Sequence, residues 1–328
     1  MGMNGAIYIL TQDPRYIDLV RVSAGGLKRA MPDLAITVFS EFPLDGPFDK
    51  VVLVEGEKQT QLTPRAGTYG TLRTSDGFYD KARLMLESPY ERTVFLDADI
   101  HVAQPFPELF TLLDRFDCAA NHEEYINTDW FNRYPRPDIP TSFPEFNTGV
   151  LAYKRSPAMD AVLRRWCELY KTHRQRNPQA EVNDQPFFRE AVYYGDVRMA
   201  TLTREYNCKF RGQGYLNGPV KLLHGHMNFQ VRPQYMHRVT AVMNGCEGPR
   251  VYIANRVYAH KLVGRLVGRR TAQRVGSFPD SDSILVQRAR RLSRLVREQG
   301  MGAILKKLVP KGFSRRSQPA LMSDAPQN

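Results

Sequence analysis

Over its first two thirds the chain alternates short apolar runs with stretches of helical periodicity. Ala6 to Leu10 is a continuous apolar run of strand length, cut off by Thr11, Gln12, Asp13 and Pro14. Asp13 and Pro14 supply an N-cap and a first-turn proline, and Ile17, Val20, Ala24, Leu27 and Met31 then recur at helical spacing until Pro32 ends them. Ala35 to Phe39 and Val51 to Val54 read as further strands, and Phe78 to Glu87, which carries Lys81 and Arg83, reads as a helix. A Ser-Pro turn leads into Thr93, Val94, Phe95 and Leu96, an apolar strand that runs straight into Asp97, Ala98, Asp99 and Ile100. Phe146 to Val150 opens another strand, Ser156 and Pro157 start a helix bearing Val162, Trp166 and Leu169, and Asn183 to Pro186 has the make-up of one more helix start. This alternation predicts an α/β domain, an open and mostly parallel sheet flanked by helices, with a nucleotide-sized site at the carboxyl edge of its strands.

Two stretches break the alternation. Asn121 to Glu145 is rich in aromatics, Pro and Asn and has no period, so it reads as a functional loop, whose Trp130 and Tyr134 either stack on an acceptor or anchor the loop. From about Glu247 the composition turns Arg-rich, which divides the chain into a main domain over 1–246 and a basic, mainly helical extension over 247–328. Within the extension, Ser281 to Gln299 carries an apolar stripe of Leu285, Ala289, Leu292 and Val296 among arginines, and Gly300 stops it.

Composition narrows the class. With 328 residues and 42% hydrophobic content the chain can bury a full-sized core and is too long for a minimal binding module. Cys118, Cys167, Cys208 and Cys246 are far apart and form no CxxC pair, so neither a disulfide framework nor a zinc finger is expected, and a reducing, cytoplasmic setting fits. The run at Ala6 to Leu10 is shorter than a signal-peptide core, and no run reaches the length of a membrane span.

The net charge of +12 would suggest nucleic acid were it evenly spread. From Arg250 onward, however, 17 Lys and Arg stand against 4 Asp and Glu, which leaves 29 basic and 30 acidic residues before it. The excess belongs to the tail. There, a helix packed on the core, a peripheral anchor on the anionic inner membrane face and a nucleic-acid patch are the three readings. Of the two functional ones the membrane comes first, because Lys and Arg flank a Leu/Val stripe.

Two carboxylates at i and i+2, where a buried strand leaves its sheet, can both reach one hard divalent cation. Such a cation stabilises the negative charge that builds on a departing diphosphate. In isolation each of the residues concerned has a plainer reading. Asp97 and Asp99 can cap a turn, Asp184 can be an N-cap, Asn147 and Gly149 a turn before a strand, Lys81 a solvated helix face, and His224 a satisfied core histidine.

The order of features along residues 6 to 226 resembles glycosyltransferase family 8, the GT-A-fold group that includes glycogenin and bacterial lipopolysaccharide galactosyltransferases. The residues that carry the resemblance are the strand-helix unit Ile7 to Lys28, the segment Lys81 to Val102 with Leu96-Asp97-Ala98-Asp99, the Phe146-Asn147-Thr148-Gly149-Val150 box, Asn183-Asp184-Gln185, and Leu223-His224. The resemblance implies a GT-A-type catalytic domain over 1–246 that moves a hexose, with retention, from a nucleotide-diphosphate sugar such as a UDP-sugar to a glycan or glycolipid acceptor. It implies Mn²⁺ or Mg²⁺ held by Asp97, Asp99 and His224, with Asp97 also near the ribose and Ala98 against the donor. Lys81 would contact the donor, and Tyr8 and Thr11 would lie beside the uracil ring. Asn147 and Gly149 would line the sugar pocket, and Asp184 and Gln185 would flank the anomeric carbon as the catalytic pair.

The chain departs from the family after the ligand histidine. A Gly-x-x-Lys-Pro-Trp-like run is expected there, its lysine holding the diphosphate, whereas this chain continues Gly225, His226, Met227, Asn228 and on to Gln230, Val231, Arg232, Pro233. Arg232, two residues later than the pattern places the lysine, would substitute for it, and His226 is a rival to His224. Two other classes remain open. A nucleotidyltransferase also pairs aspartates around a metal, although Thr11 to Arg15 lacks the glycines of its usual phosphate loop. An inactive sugar- or lipid-binding scaffold would bind without turnover.

Overall fold

The first strand, β1 (Asn4–Leu10), is apolar on both faces because it lies inside the sheet, with helices covering each side. The computed structural model describes residues 3–58, 72–123, 134–177, 183–210, 212–225, 233–245, 248–253, 256–259 and 274–277. These lie in the first of two compact units, Met1–Pro279, and the second, Asp280–Asn328, lies outside the described residues.

From β1 the chain passes through a one-turn 3₁₀ helix, Pro14–Tyr16, whose N-cap Asp13 accepts from the Arg15 amide, and enters α1 (Ile17–Ala30). There follow β2 (Ala35–Ser40), β3 (Lys50–Leu53), α2 (Leu72–Met85), β4 (Arg92–Leu96), β5 (Ile100–Val102), α3 (Glu108–Leu112), β6 (Cys118–His122) and β7 (Phe146–Lys154). Ser156 then caps α4 (Pro157–Arg176) by accepting from the Met159 amide at 3.1 Å. Next come α5 (Gln185–Tyr193), β8 (Met199–Thr201), β9 (Gln213–Leu216), β10 (Leu222–His224) and α6 (Pro233–Met243).

The main sheet has seven strands in the order β3-β2-β1-β4-β7-β6-β8. The pairs β3–β2, β2–β1, β1–β4 and β6–β8 are parallel, whereas β7 runs antiparallel to both β4 and β6. The expected α/β class with a mostly parallel sheet is therefore what the chain adopts. Sequential strands build outward from β1 to β3 on one side and resume with β4 on the other, so the strand order reverses between β1 and β4. Crevices at the carboxyl ends of strands form at such a point.

Two apolar layers sandwich the sheet. Ala6, Tyr8, Leu10, Val38, Val94 and Leu96 pack with Val20, Ala24 and Leu27 of α1 on one face. Ile7, Phe39, Phe95, Leu151 and Tyr153 pack with α2, α4 and α5 on the other, where Trp166, Tyr170, Phe187 and Phe188 fill the interior. A smaller core under α6 joins Cys208, Phe210, Leu223 and Val239.

The described part of the basic extension is strand: β11 (Arg250–Ile253), β12 (Arg256–Ala259) and β13 (Arg274–Ser277) join β9 in an antiparallel sheet ordered β13-β12-β11-β9. The helix expected over Ser281 to Gln299 lies outside the described residues. Among those residues no helix is long and apolar enough to cross a membrane. Cys118, Cys167 and Cys208 form no disulfide with one another, and Cys246 lies outside the described residues.

Candidate active site

Backbone pairing assembles the acidic triplet and the histidine. At the end of β4 the Asp97 amide bonds to the Gly149 carbonyl at 2.8 Å, and the Ile100 amide bonds back to the Asp97 carbonyl at 3.1 Å, closing a turn. The strand β5 that follows pairs antiparallel with β10 and sets His224 opposite Ile100. The Gly225 amide bonds to the Asp99 carbonyl at 3.1 Å, and Gly225 holds a φ of +102°, a conformation open to glycine. As a result one ligand atom from each of Asp97, Asp99 and His224 lies within 4.8 Å of the other two. His224 Nε2 is 3.5 Å from Asp99 Oδ1, while Nδ1 faces Asn207 Oδ1 at 2.8 Å. Two carboxylates and one imidazole nitrogen, with the other ring nitrogen already bonded to protein, are a donor set that fits a hard or borderline divalent cation.

Lys81 sits at the centre of the acidic groups. It is buried, not a solvated helix position, and its Nζ lies 3.2 Å from Asp97 Oδ1, 3.3 Å from Asp184 Oδ2 and 3.0 Å from the Thr148 hydroxyl. Burial works against the Lys81 charge, but Asp184 and Asp97 outweigh it and hold its pKa above the ordinary lysine value. Burial also pushes the Asp97 carboxyl up; Lys81 and His224 oppose that shift, and Asp99 and Asp184 add to it. For His224, burial favours the neutral ring, yet Asp99 and Asp97 raise its pKa above the usual histidine value. These groups crowd negative charge around one spot, which is the electrostatics a cation relieves.

Beside the triad, at the carboxyl ends of β1 and β4, opens a cavity of about 250 Å³. Its lining includes Thr11, Gln12, Asp13 and Tyr16 from the turn after β1, Gly77, Phe78 and Lys81 from α2, and Asp97, Ala98, Asp99 and His224. Thr11, whose buried hydroxyl has no hydrogen-bond partner among the described residues, lines this cavity. Tyr8 does not. It points to the α1 side of the sheet, fully buried, with its hydroxyl 2.9 Å from Ser23, and Ile9 lines the cavity in its stead. Among the described residues, the aromatic side chains that line the space are Tyr16, Phe78 and Phe95. Gln12 holds a φ of +72°, supported by the hydrogen bond its backbone N–H donates to the Glu41 carboxylate at 2.8 Å and by those its side chain donates to the Glu57 carbonyl and Asp80.

No protein-family model matches the chain, and no curated protein does. Solved structures do. Mouse xyloside xylosyltransferase 1, in its apo form, is similar over 70% of this chain and 100% of its own, at 16% identity and a TM-score of 0.44. The glycosyltransferase GlyE of Streptococcus pneumoniae TIGR4 is similar over 63% of this chain and 47% of its own, at 16% identity and a TM-score of 0.43. The galactosyltransferase LgtC, in complex with donor and acceptor sugar analogs, is similar over 62% of this chain and 74% of its own, at 16% identity and a TM-score of 0.40. All three are glycosyltransferases and the likeness is distant, so the chemistry rests on the site itself.

Behind the triad lies a buried polar network that includes the other expected residues. Asp184 does not act as a side-chain N-cap of α5; its carboxylate accepts from Thr148 at 2.9 Å and pairs with Lys81, and the Asn183 side chain bonds the Gln185 amide at 3.3 Å instead. The Gln185 side chain donates to Glu145 at 2.9 Å and Glu123 at 3.2 Å and accepts from Asn147 at 3.0 Å. Asn147 donates also to Glu123, at 2.8 Å, so its amide is engaged with protein rather than lining an open space. Gly149 likewise backs the ligands: a β-carbon there would collide with His224 Cε1 and come within 2.9 Å of Asp97 Oδ2. Burial pushes the Glu145 carboxyl up to about 7, Gln185 opposing and Glu123 adding to the shift. Asn207, Tyr16 and Phe78 carry no sequence signal as site residues, because none belongs to a spaced motif, and Glu123 and Glu145 are marked only by lying in the aperiodic stretch Asn121 to Glu145.

A second, open cavity of about 510 Å³ lies between α4 and the Tyr134 region, lined by Tyr134, Arg136, Arg165, His173, Arg176 and Glu190 among others. Tyr134 is anchored there, its hydroxyl donating to Glu190 at 2.7 Å and its ring packed 4.2 Å from that of Phe187. Trp130, His226 and Arg232 lie outside the described residues.

Proposed function

We propose that this protein is a glycosyltransferase that transfers a hexose from a nucleotide-diphosphate sugar, a UDP-sugar in first place, to a glycan or glycolipid acceptor. The observation that carries it is the convergence of Asp97, Asp99 and His224 beside a cavity at the carboxyl ends of β1 and β4, where the strand order reverses.

Asp97, Asp99 and His224 would hold Mn²⁺ or Mg²⁺. When bound, the cation supplies a Lewis acid for the departing diphosphate. Thr11 would offer its hydroxyl, and Tyr16 and Phe78 their rings, to the nucleoside. Lys81 keeps Asp184 beside Asp97, so that a carboxylate stands ready to stabilise positive charge developing on the sugar. Gln185 is held next to Asp184 by Glu123, Glu145 and Asn147. Retention follows from the family resemblance. The cavity at Tyr134, lined also by Arg, Glu, His and Asn residues, suits a hydroxyl-rich acceptor. The basic extension is proposed to reach an anionic lipid surface; equal sedimentation with liposomes with and without residues 281–328 would remove that idea.

A thermal-shift screen of nucleotides and nucleotide sugars, with Mn²⁺ or with chelator, tests the reading. A ligand at a hundred times its Kd adds about 2.7 kcal/mol, which in a domain of this size raises the Tm by roughly 5 °C or more. UDP-sugars are expected to give that shift with Mn²⁺ only. Stabilisation by nucleoside triphosphates alone, with pyrophosphate released, would favour a nucleotidyltransferase.

A further inference from the structure

A chain of hydrogen bonds runs from the Gly149 backbone to the ring of His224, and its direction is determined at one end. The Gly149 N–H can only donate, so the Asn147 atom facing it at 3.0 Å is the amide oxygen. Glu123 agrees with this from the other side. Its carboxylate can only accept, and it faces the Asn147 nitrogen at 2.8 Å, while Lys209 Nζ lies 2.7 Å from its other oxygen. The Asn147 oxygen takes a second bond, at 2.8 Å, from Asn207, which must therefore present its NH₂ group there. What Asn207 then turns toward His224 Nδ1, at 2.8 Å, is its oxygen, and an oxygen in that place requires the proton on Nδ1. Asn207 is fully buried, so no water competes for either end of its amide.

We propose that Asn207 is a positioning residue: oriented by Asn147, it locks His224 in the Nδ1–H tautomer and leaves the Nε2 lone pair for a divalent cation. This rests on the reading of Asp97, Asp99 and His224 as a cation site. A ligating histidine that donates its other N–H to a fixed acceptor keeps both its tautomer and its ring orientation, and losing such a partner lowers metal affinity about ten- to a hundredfold.

Nitrogen-15 NMR of the imidazole in the metal-free protein, at a pH where the ring is neutral, reads the tautomer directly, and Mn²⁺ titration calorimetry reads the affinity. The wild-type protein is expected to show His224 as Nδ1–H. Asn207→Leu is expected to release that tautomer and to weaken Mn²⁺ about ten- to a hundredfold, whereas Asn207→Asp, whose carboxylate still accepts from Nδ1–H although it no longer donates to Asn147, is expected to keep it. An Nε2–H ring in the wild-type protein overturns the proposal without any variant, and so does an Asn207→Leu protein with unchanged tautomer and affinity. A wild-type protein with the Nδ1–H ring that binds no Mn²⁺ overturns the cation reading, and this role with it. The wrong tautomer in a protein that does bind Mn²⁺ overturns the relay alone.

Discussion

Gly149 and His224 occupy adjoining space so closely that a β-carbon on the glycine would overlap the imidazole Cε1, with Asp97 Oδ2 only 2.9 Å away. Both neighbours are held, His224 by Asn207 and Asp97 by its backbone bond to Gly149 itself. Gly149→Ala is therefore expected to displace the two ligands, lowering Mn²⁺ affinity roughly tenfold or more by calorimetry, at an overpacking cost of about 1–3 kcal/mol in urea unfolding. Unchanged Mn²⁺ affinity would show that this contact does not shape the site.

Lys81 is the cation buried among Asp97, Asp184 and Thr148. Lys81→Met leaves two carboxylates facing each other without it, and removing one member of a buried ion pair costs about 3–5 kcal/mol. Urea unfolding of the variant without added metal should show a loss of that order. A loss under 1 kcal/mol would mean that Lys81 behaves as a surface residue.

Tyr8 and Tyr16 separate core from site. Tyr8→Phe removes a buried hydroxyl bonded to Ser23, with an expected loss of about 1–2 kcal/mol in stability and no change in UDP affinity. Tyr16→Ala removes a ring from the cavity wall and should weaken UDP roughly tenfold by calorimetry. The reverse pattern would restore Tyr8 to the nucleotide site.

Why Tyr8 is misplaced by sequence is instructive. In a strand buried on both faces the apolar run is continuous, so alternation gives no clue to which face a given residue takes. The strands β1, β2 and β4 and the helices α1, α4 and α5 are legible because cap residues and apolar spacing mark them, and the Asp97–Asp99 pair is legible because it ends an apolar strand. The antiparallel course of β7 is not, since pairing partners are distant in sequence. Nor is the network of Glu123, Glu145 and Asn207, which exists only once β6, β7 and the segment between β8 and β9 come together. The Asp184 carboxylate looks like a cap locally and is drawn instead to Lys81 by tertiary contact.

Glu145 makes stability depend on pH. Burial raises its carboxyl from 4.5 to about 7, so the native protein holds a proton that the unfolded chain has already released. Its contribution is therefore greatest below pH 4.5, falls as pH rises to about 7 and is then flat, a total of about 3 kcal/mol. Glu145→Gln should remove this component, so that urea unfolding at pH 8 finds the variant more stable relative to wild type than at pH 5. An identical pH dependence in both proteins would place the Glu145 pKa near its unfolded value.

The central claim is that Asp97, Asp99 and His224 hold a cation needed for breaking a nucleotide-sugar bond. Hydrolysis of UDP-hexoses, followed by UDP release with Mn²⁺ present, measures it with no acceptor required. The wild-type protein is expected to hydrolyse at least one such donor, and Asp99→Ala or a chelator should reduce the rate by about a hundredfold or more. Hydrolysis that continues undiminished through both would contradict the account.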